Sequence, residues 1–231
     1  MPDRPAQHRP RGSGRVRSRV RDRNSRRILA AVGDLVEGGG IEQASMRQLA
    51  DTAGVSVRTL YNLFDDREGL VRALVLDSIV DVNLAVGALR ATDPIERAWE
   101  AVEVALDTVI TSLPRAVLVP VLDDPDLLLQ LAQHWDVSDV LVAEIRRAQH
   151  DGDLVDDLDA DALVDQVGVT LLHLLRGWAS GRLDDEALVA GTLHALDVCL
   201  LAIAPADRRA ALSEHARRQR ARFPATTPGT R

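Results

Sequence analysis

The chain has 231 residues, of which 46% are hydrophobic and only 3% aromatic. That length allows one large domain or two small ones, with a core built mainly from Leu, Val and Ala. The single cysteine, Cys199, excludes an internal disulfide and favours a reducing, cytoplasmic setting. No apolar run approaches the ~18 residues needed to cross a bilayer, so we expect no membrane segment.

The net charge of −7 is distributed unevenly along the chain. Residues 1–72 carry 14 Arg and 9 acidic residues, residues 73–205 carry 7 Arg and 24 acidic residues, and residues 206–231 carry 7 Arg and 2 acidic residues. The positive amino-terminal part suits phosphate binding, whereas the acidic middle should repel a polyanion. This asymmetry predicts two functions in one chain.

The first 23 residues combine Pro, Gly and Ser with clustered Arg and have no apolar periodicity, so we expect a disordered Arg-rich arm. Such an arm could enter a DNA minor groove, or it could be a solvated tail that adds only general affinity. A helix is then predicted from about Asn24 to Glu37, ended by the glycines at positions 38–40.

Two short helical patterns joined by Gly54 follow in residues 45–64, SMRQLADTAGVSVRTLYNLF. Ser45 and Gln48 predict a capping box for the first helix, and Ser56 is a good N-cap for the second. Gly54 suits a left-handed turn between them. Apolar residues at helical spacing give each helix one inward face. The pattern is typical of a helix-turn-helix, which places its second helix in the major groove of DNA.

The second helix keeps polar and aromatic residues on its outer face. Arg pairs well with guanine and Asn with adenine, while Thr and Tyr hydroxyls suit phosphates. We therefore predict DNA contacts from this face and its cap, at Ser56, Val57, Arg58, Thr59, Tyr61 and Asn62. The alternative is an ordinary helical hairpin with a solvated face, but caps, turn and apolar faces all agree with the first interpretation.

Helical spacing continues through the acidic region, and no alternating strand pattern interrupts it. Asp65 and Glu68 predict a capping box for a helix from about Asp66 to Leu89, and Asp93 with Pro94 predicts the start of the next. Pro114 and Pro120 should break the following stretch into short pieces. Further helices are predicted at 124–133, at 138–152 with Ser138 as cap, at 159–179 and at 185–203. Residues 206–231 are predicted as a basic extension, weakly helical at its start and partly disordered.

The helix predicted at 185–203 is apolar on nearly every side. A helix without a polar face must be covered all round. Because this helix lies near the end of the chain, we expect a second subunit to cover it. That gives a homodimer formed through about residues 159–203.

A buried carboxylate is the strongest sequence indication of a ligand site. Glu103 falls within the stripe of Trp99, Leu106 and Ile110 on a helical projection, where an unpaired charge would be costly. It could pair with an Arg of a neighbouring helix, or it could face a pocket that receives a polar or cationic ligand. The candidate ligand-binding residues are Trp99, Glu103, His134 and Trp135.

Metal and catalytic signatures are weak. Asp157, Asp159 and Asp161 are spaced like the start of a calcium loop, but Ala162 stands where that loop requires Gly. The histidines have no metal-ligand spacing, and no nucleophile–base grouping or Gly-rich phosphate loop is found. We expect neither a metal site nor catalysis.

Residues 27–73, with the run GVSVRTLYNLF followed by DDREGL, resemble the DNA-binding domain of TetR-type transcriptional regulators. The resemblance implies an all-α protein with a three-helix DNA-binding domain at 24–72 and a helical ligand-binding and dimerisation domain at 73–205. It further implies a homodimer on a near-palindromic DNA operator, an unidentified small-molecule effector, and no enzymatic activity or cofactor. A repressor released by its ligand is the expected function, and an activator would use the same parts.

By position, the resemblance implies DNA contacts from both motif helices and from the start of the next helix. The matching residues are Ser45, Arg47, Val57, Arg58, Thr59, Tyr61 and Arg67. The chain departs from the family pattern at Leu63, where a phosphate-contacting His or Tyr is frequent. Asp65 and Asp66 also place negative charge near the expected phosphate path. These departures favour an alternative hypothesis, a ligand-binding or scaffolding protein of the same fold that has lost operator recognition.

Overall fold

The computed structural model describes residues 25–33 and 44–223, and outside its turns this part of the chain is helical. The all-α fold class is therefore confirmed. The Arg-rich arm expected at 1–23, the glycines at 38–40 and the end of the basic extension lie outside the described residues.

The described residues form α1 (residues 25–33) and ten further helices. In chain order these are α2 (Met46–Thr52), α3 (Val57–Phe64), α4 (Arg67–Val86), α5 (Pro94–Ser112), α6 (Arg115–Asp123), α7 (Pro125–Ala132), α8 (Val137–Asp151), α9 (Ala160–Ala179), α10 (Asp185–Ala202) and α11 (Ala206–Arg222). Helices α1 to α3 pack with the start of α4, and α4 continues into a larger helical layer built from α5 to α11.

Three of the caps expected from the sequence are present. Ser45 and Gln48 form a complete capping box at the start of α2, and the Ser56 hydroxyl accepts the amide N–H of Thr59 at 3.1 Å. Asp93 accepts two backbone N–H groups at the start of α5. These bonds satisfy amides that a helix leaves unpaired at its amino terminus, which is why short polar residues define the boundaries so well.

Three other predicted boundaries differ from the structure. The cap of α4 is Asp66, whose carboxylate accepts the Gly69 N–H at 2.8 Å, and not a box formed by Asp65 with Glu68. Helix α8 begins after Asp136, so Ser138 lies inside it. Pro120 lies inside α6 and does not end it. Proline cannot donate a backbone hydrogen bond, but Val117, Leu118, Val121 and Leu122 of the same helix are buried in the core.

Most of helix α10 is covered within a single chain, contrary to the expectation that a second subunit must cover it. It packs against α5, α9 and α11, and eleven of its residues are buried. The expectation was wrong because residues 206–222, predicted as part of the basic extension at 206–231, pack against the helical domain. In the structure they form α11, which lies along α10 and buries Leu212, His215, Ala216 and Gln219. The apolar residues of α10 that are buried in this way therefore carry no argument for a dimer.

Exposed apolar side chains are found elsewhere on the last helices. Val169 and Leu172 on α9 are 63% and 39% exposed, and Val198 on α10 is 52% exposed. Val155 and Leu158, in the loop before α9, are also exposed. We call Val169, Leu172 and Val198 the α9–α10 patch.

No single helix in the described ranges is long and apolar enough to cross a membrane. Helices α5 and α6 reach the required length and composition only together, and a bend of 107° separates them. Both contribute many side chains to the core.

Candidate nucleic-acid interface and effector cavity

The second motif helix, α3, is held in place by apolar contacts on its buried side. Leu60 is fully buried and Phe64 nearly so, and they pack with Leu49 and Ala50 of α2. Ala50 is small, and its carbonyl accepts the Val55 N–H at 3.0 Å, which closes the turn between the helices. Gly54 adopts a φ of 64° in that turn, as expected for a left-handed position. The buried side fixes which residues of α3 face outward.

The outward face of α3 carries the side chains expected from the sequence. Arg58, Thr59, Tyr61 and Asn62 are exposed, and Tyr61 is 46% exposed despite its large ring. Val57 is half-buried and packs against the core. Polar groups on a short helix with a firm apolar base suit the reading of base edges and phosphates.

Two of the candidate DNA contacts serve as helix caps. The Ser45 hydroxyl lies 2.8 Å from the Gln48 side-chain oxygen and accepts the Gln48 N–H at 3.2 Å. The Ser56 hydroxyl lies 2.8 Å from the Thr59 hydroxyl. These bonds place the hydroxyls at the amino-terminal ends of α2 and α3, where backbone N–H groups and the helix dipole attract phosphate.

Arg47 and Arg58 are the exposed cations of the two motif helices. Among the described residues, neither makes an ion pair or a side-chain hydrogen bond. An unpaired guanidinium on an exposed helix keeps its five N–H donors for a ligand with acceptor atoms, such as a phosphate or a guanine edge.

Arg67 has a structural partner that the sequence did not indicate. Its guanidinium donates to the Ala44 carbonyl at 2.6 Å, and the side chain is half-buried. This bond ties the start of α4 to the residue that precedes the cap of α2. A role of Arg67 in phosphate binding stays a prediction, and its position is set by this contact inside the protein.

A tight turn joins α3 to α4. Asp65 has φ 61° and ψ −58°, and the Asp66 N–H donates to the Phe64 carbonyl at 2.7 Å. These angles and the bond across one residue define a γ-turn, a strained conformation for a residue with a side chain. A Cβ atom on Gly69 would lie 1.9 Å from the same Phe64 carbonyl oxygen. The end of α3 therefore rests directly on the first turn of α4.

The candidate ligand-binding residues do not come together. Glu103 is exposed on α5, so the expectation that it lies in a buried stripe is wrong. The neighbouring α8 and α10 cover the Val102, Ala105 and Leu106 side of α5 instead. His134 is exposed, and its carbonyl accepts a bond from the Asn83 side chain at 2.8 Å. Trp135 lines a cavity between helices of the described part of the chain, and the other three residues do not line that cavity.

That cavity lies between α5, α8, α9 and α10 and has a volume of about 30 Å³. Its wall is apolar except for Ser138 and Thr192, and the Thr192 hydroxyl donates to the Leu188 carbonyl at 2.9 Å. The volume is enough for a water molecule or two, whereas small-molecule sites usually measure roughly 300–1,000 Å³. We call it the effector cavity. A ligand could enter it only if the four helices moved apart.

Trp99 belongs to a buried polar cluster that the sequence analysis missed. Its indole N–H donates to Asp197 of α10 at 2.8 Å, and its ring stacks on His215 of α11 with 3.8 Å between centroids. His215 Nδ1 lies 2.8 Å from the other Asp197 oxygen. Asp197 is fully buried, and burial raises the pKa of its carboxyl against the opposing effect of the His215 bond. The available signal was an acidic residue among the apolar residues in the second half of α10.

Metal binding has no support in the parts of the chain that the structure describes, where no group of three or more potential ligands is found. The aspartates at 157, 159 and 161 are used differently. Asp159 caps α9, and Asp161 pairs with Arg146 of α8.

Comparison with known proteins identifies the fold. Residues 28–74 match the family model described as bacterial regulatory proteins, tetR family. The chain has the fold of a TetR-family transcriptional regulator. The TetR-family match covers α1 to the middle of α4, the segment that contains the exposed face of α3. None of the curated protein sequences compared with the chain matches it.

Solved TetR-type structures extend the likeness to the carboxy-terminal helices. The fatty acid degradation regulator FadR from Bacillus halodurans is 19% identical, with 77% of this chain and 94% of that chain covered and a TM-score of 0.62. RolR in complex with resorcinol is 16% identical, with 91% and 100% covered and a TM-score of 0.60. PfmR from Thermus thermophilus is 21% identical, with 83% and 97% covered and a TM-score of 0.55.

TetR-family regulators are non-enzymatic DNA-binding proteins. TetR-family regulators have an amino-terminal helix-turn-helix domain followed by a helical domain, and the helices of this chain follow the same order.

Proposed function

We propose that the chain is a homodimeric repressor that binds a near-palindromic operator and leaves it when a small, mainly apolar molecule enters the effector cavity. The observation that carries the proposal is the outward face of α3. Its polar side chains, including an Arg58 that pairs with no described residue, stand on a buried apolar base. Such a face suits the DNA major groove.

Homodimer formation is supported by the α9–α10 patch. Three exposed apolar side chains lie on two helices that pack against each other, and a second copy would cover them by two-fold symmetry. Two α3 helices would then meet half-sites about 34–36 Å apart, one turn of DNA. A two-fold symmetric dimer would therefore bind a near-palindromic operator, because both have the same two-fold symmetry.

Val169→Arg tests the dimer. A charge on Val169, the most exposed residue of the patch, should raise the dissociation constant of the dimer at least about 30-fold, equivalent to ~2 kcal/mol. Sedimentation velocity across a concentration series measures the change. Val80→Arg is the matched control because Val80 is 42% exposed on α4, away from the patch. Equal dimer stability in the Val169 variant and wild type would place the interface elsewhere.

Ligand release is supported by the closed state of the effector cavity. Because the cavity holds about 30 Å³, a ligand that fills it must select a conformation in which α5, α8, α9 and α10 are further apart. The apolar wall, with Trp135 at one side and two hydroxyl groups, fits a compact molecule with one or two polar groups. RolR, a structural neighbour, is seen with the ligand resorcinol.

Arg58→Ala tests the operator contact. Loss of a guanidinium that pairs with a base edge should cost about 1–3 kcal/mol of specific binding, roughly 5- to 150-fold, and leave dimerisation unchanged. Fluorescence anisotropy on the protein's own upstream DNA, with scrambled competitor and a salt series, measures it. Arg218→Ala is the control, since Arg218 is exposed on α11 and the net charge changes equally.

A second candidate function is a TetR-type protein that binds a ligand but no longer reads an operator. It is favoured by half-buried Leu63 and by Asp65 and Asp66, which are exposed beside α3. This function predicts weak, salt-sensitive DNA binding that scrambled competitor removes. Tight, competitor-resistant binding of the wild-type dimer would exclude it.

A further inference from the structure

A second, larger cavity lies where the DNA-binding helices meet the helical domain. It measures about 270 Å³ and is bounded by α1, by the middle of α4 and by the end of α5 with Pro114. It is about nine times as large as the effector cavity. We call it the junction cleft. A small organic molecule fits this volume without the helix movement that the effector cavity requires.

The walls of the junction cleft differ in chemistry. Leu29, Leu74 and Pro114 are buried apolar residues and form one side. Carboxylates of Asp77 and Asp81 and the hydroxyls of Ser78, Thr111 and Ser112 form the other. An apolar surface facing a few polar groups of one charge sign is the usual composition of a site for a small amphiphilic molecule.

Negative charge in the cleft is only partly balanced. Arg26 of α1 pairs with Asp77 at 3.2 Å. Asp81, one helical turn further along α4, has no ion pair or hydrogen bond with any described residue. Burial raises the pKa of Asp77, Arg26 lowers it, and Asp81 raises it again. Like charges four residues apart on a helix repel each other, so a bound cation would remove an unfavourable interaction.

A buried hydroxyl at the base of the cleft adds a hydrogen-bonding group. Ser78 is 4% exposed, and its oxygen lies 2.7 Å from that of Ser112. Only one of the two hydroxyl protons can lie between these oxygens, so the pair has a second proton to donate. Two neighbouring carboxylates on a helix surface would by themselves be solvated by water and would not indicate a binding site. The volume of about 270 Å³, the apolar wall and the buried hydroxyl distinguish this place from such a pair.

We propose that the junction cleft binds a small organic cation, with its ammonium group between Asp77 and Asp81 and its hydrocarbon part against Leu29, Leu74 and Pro114. The hydroxyl pair accepts or donates the remaining hydrogen bond. The site lies apart from the effector cavity, whose lining shares no residue with it.

Occupation of the cleft joins three helices that belong to different parts of the chain. A ligand there touches α1 and α4, which support the DNA-binding face, and α5, which lines the effector cavity. Where the proposed function holds, the ligand favours one placement of α1 against α4 and thus changes operator affinity. By linkage, operator DNA changes the affinity for the cation by the same factor.

Calorimetric titration of the full-length protein with cyclohexylammonium, and separately with neutral cyclohexanol, tests the binding. The cation should bind saturably and at least about tenfold more tightly than the neutral analogue, a difference of ~1.4 kcal/mol for one close charge pair. Equal affinity of the two compounds, or no saturable binding of the cation, would overturn the proposal.

Variants of the acidic residues make the test specific. Asp81→Asn should weaken cyclohexylammonium binding about tenfold and leave the fold intact, because Asp81 is exposed and unpaired among the described residues. Glu103→Gln removes an exposed charge from α5 outside the cleft and should leave binding unchanged. Thermal melting of each variant confirms folding. An unchanged affinity in Asp81→Asn, or an equal loss in both variants, would refute the site.

The effect of the cation on DNA binding is measured separately. Fluorescence anisotropy of labelled operator DNA gives the operator affinity with and without saturating cyclohexylammonium. Cation binding that changes operator affinity supports both the site and its regulatory effect. If the cation binds as described and no operator is found, the proposed function fails while the site stands. If the operator is bound and the cation is not, the junction cleft fails alone.

Discussion

Replacement of Gly69 by alanine should be among the most damaging single changes in the DNA-binding helices. The added Cβ atom would lie 1.9 Å from the Phe64 carbonyl oxygen, and it would also crowd the Phe64 carbonyl carbon at 3.0 Å. Overpacking usually costs about 1–3 kcal/mol, and the upper end applies here because the obstacle is backbone and not a movable side chain. We expect a loss of ~3 kcal/mol in the free energy of unfolding.

Chemical denaturation measures the loss, and Gly168→Ala is its control. Gly168 lies within α9, and a Cβ atom there meets nothing within 4 Å. In that position alanine should stabilise the helix by about 0.5–1 kcal/mol. Gly69→Ala should also reduce operator affinity, because α3 can no longer rest on α4 in the same orientation. If Gly69→Ala were as stable as Gly168→Ala, the contact between residue 69 and the Phe64 carbonyl could relax, and the prediction would be wrong.

Asp197→Ala should destabilise the helical domain by about 3 kcal/mol or more, the usual cost of removing one partner from a buried pair. The change leaves the Trp99 indole N–H and His215 Nδ1 without their shared acceptor. It also weakens the attachment of α11, because His215 connects α11 to α10. Denaturation followed by tryptophan fluorescence reports both effects, since Trp99 lies in the cluster.

Asp197→Asn is the matched variant, because asparagine keeps the shape and an acceptor oxygen for Trp99. Burial raises the Asp197 pKa above its ordinary 3.8, so the folded state holds the proton more tightly than the unfolded chain. The resulting stability is fully present below 3.8 and is lost as the pH rises through the folded-state pKa. Asparagine does not titrate.

The stability of wild type relative to Asp197→Asn should therefore fall between acidic and neutral pH. His215 and, further away, His194 also face Asp197, and both are present in the two proteins. Comparison of the variants at each pH thus separates the Asp197 contribution from general acid effects. A difference that rises with pH would mean that the His215 bond outweighs burial.

Local signals in the sequence predicted the start of several helices correctly. Ser45, Ser56 and Asp93 cap helices because their side chains bond amides only a few residues away, and such bonds can be read from spacing alone. The exposed face of α3 was also predicted correctly, because the helical period of about 3.6 residues alone decides which residues share a face. The γ-turn at Asp65 could not be predicted, since it results from the approach of α3 and α4.

Long-range packing explains the errors in the helical domain. Glu103 lies near Trp99 on a helical projection, but which side of α5 is covered depends on the placement of α8 and α10. The cover of α10 was assigned to another subunit because α11 has few apolar residues. Its inward side is instead formed partly by His215 and Gln219, whose polar atoms find partners only in the folded chain.

The support of α3 consists of buried apolar side chains and of main-chain atoms, and none of these belongs to the side chains that face outward for DNA contact. The Phe64 carbonyl, the turn at Asp65 and the bond from Arg67 to the Ala44 carbonyl involve none of the outward side chains Arg58, Tyr61 and Asn62. These three positions can therefore change without cost to the fold. Combined substitutions at these positions would give a set of variants that differ in operator sequence preference and share one fold. Natural relatives could have diverged in operator sequence by the same substitutions.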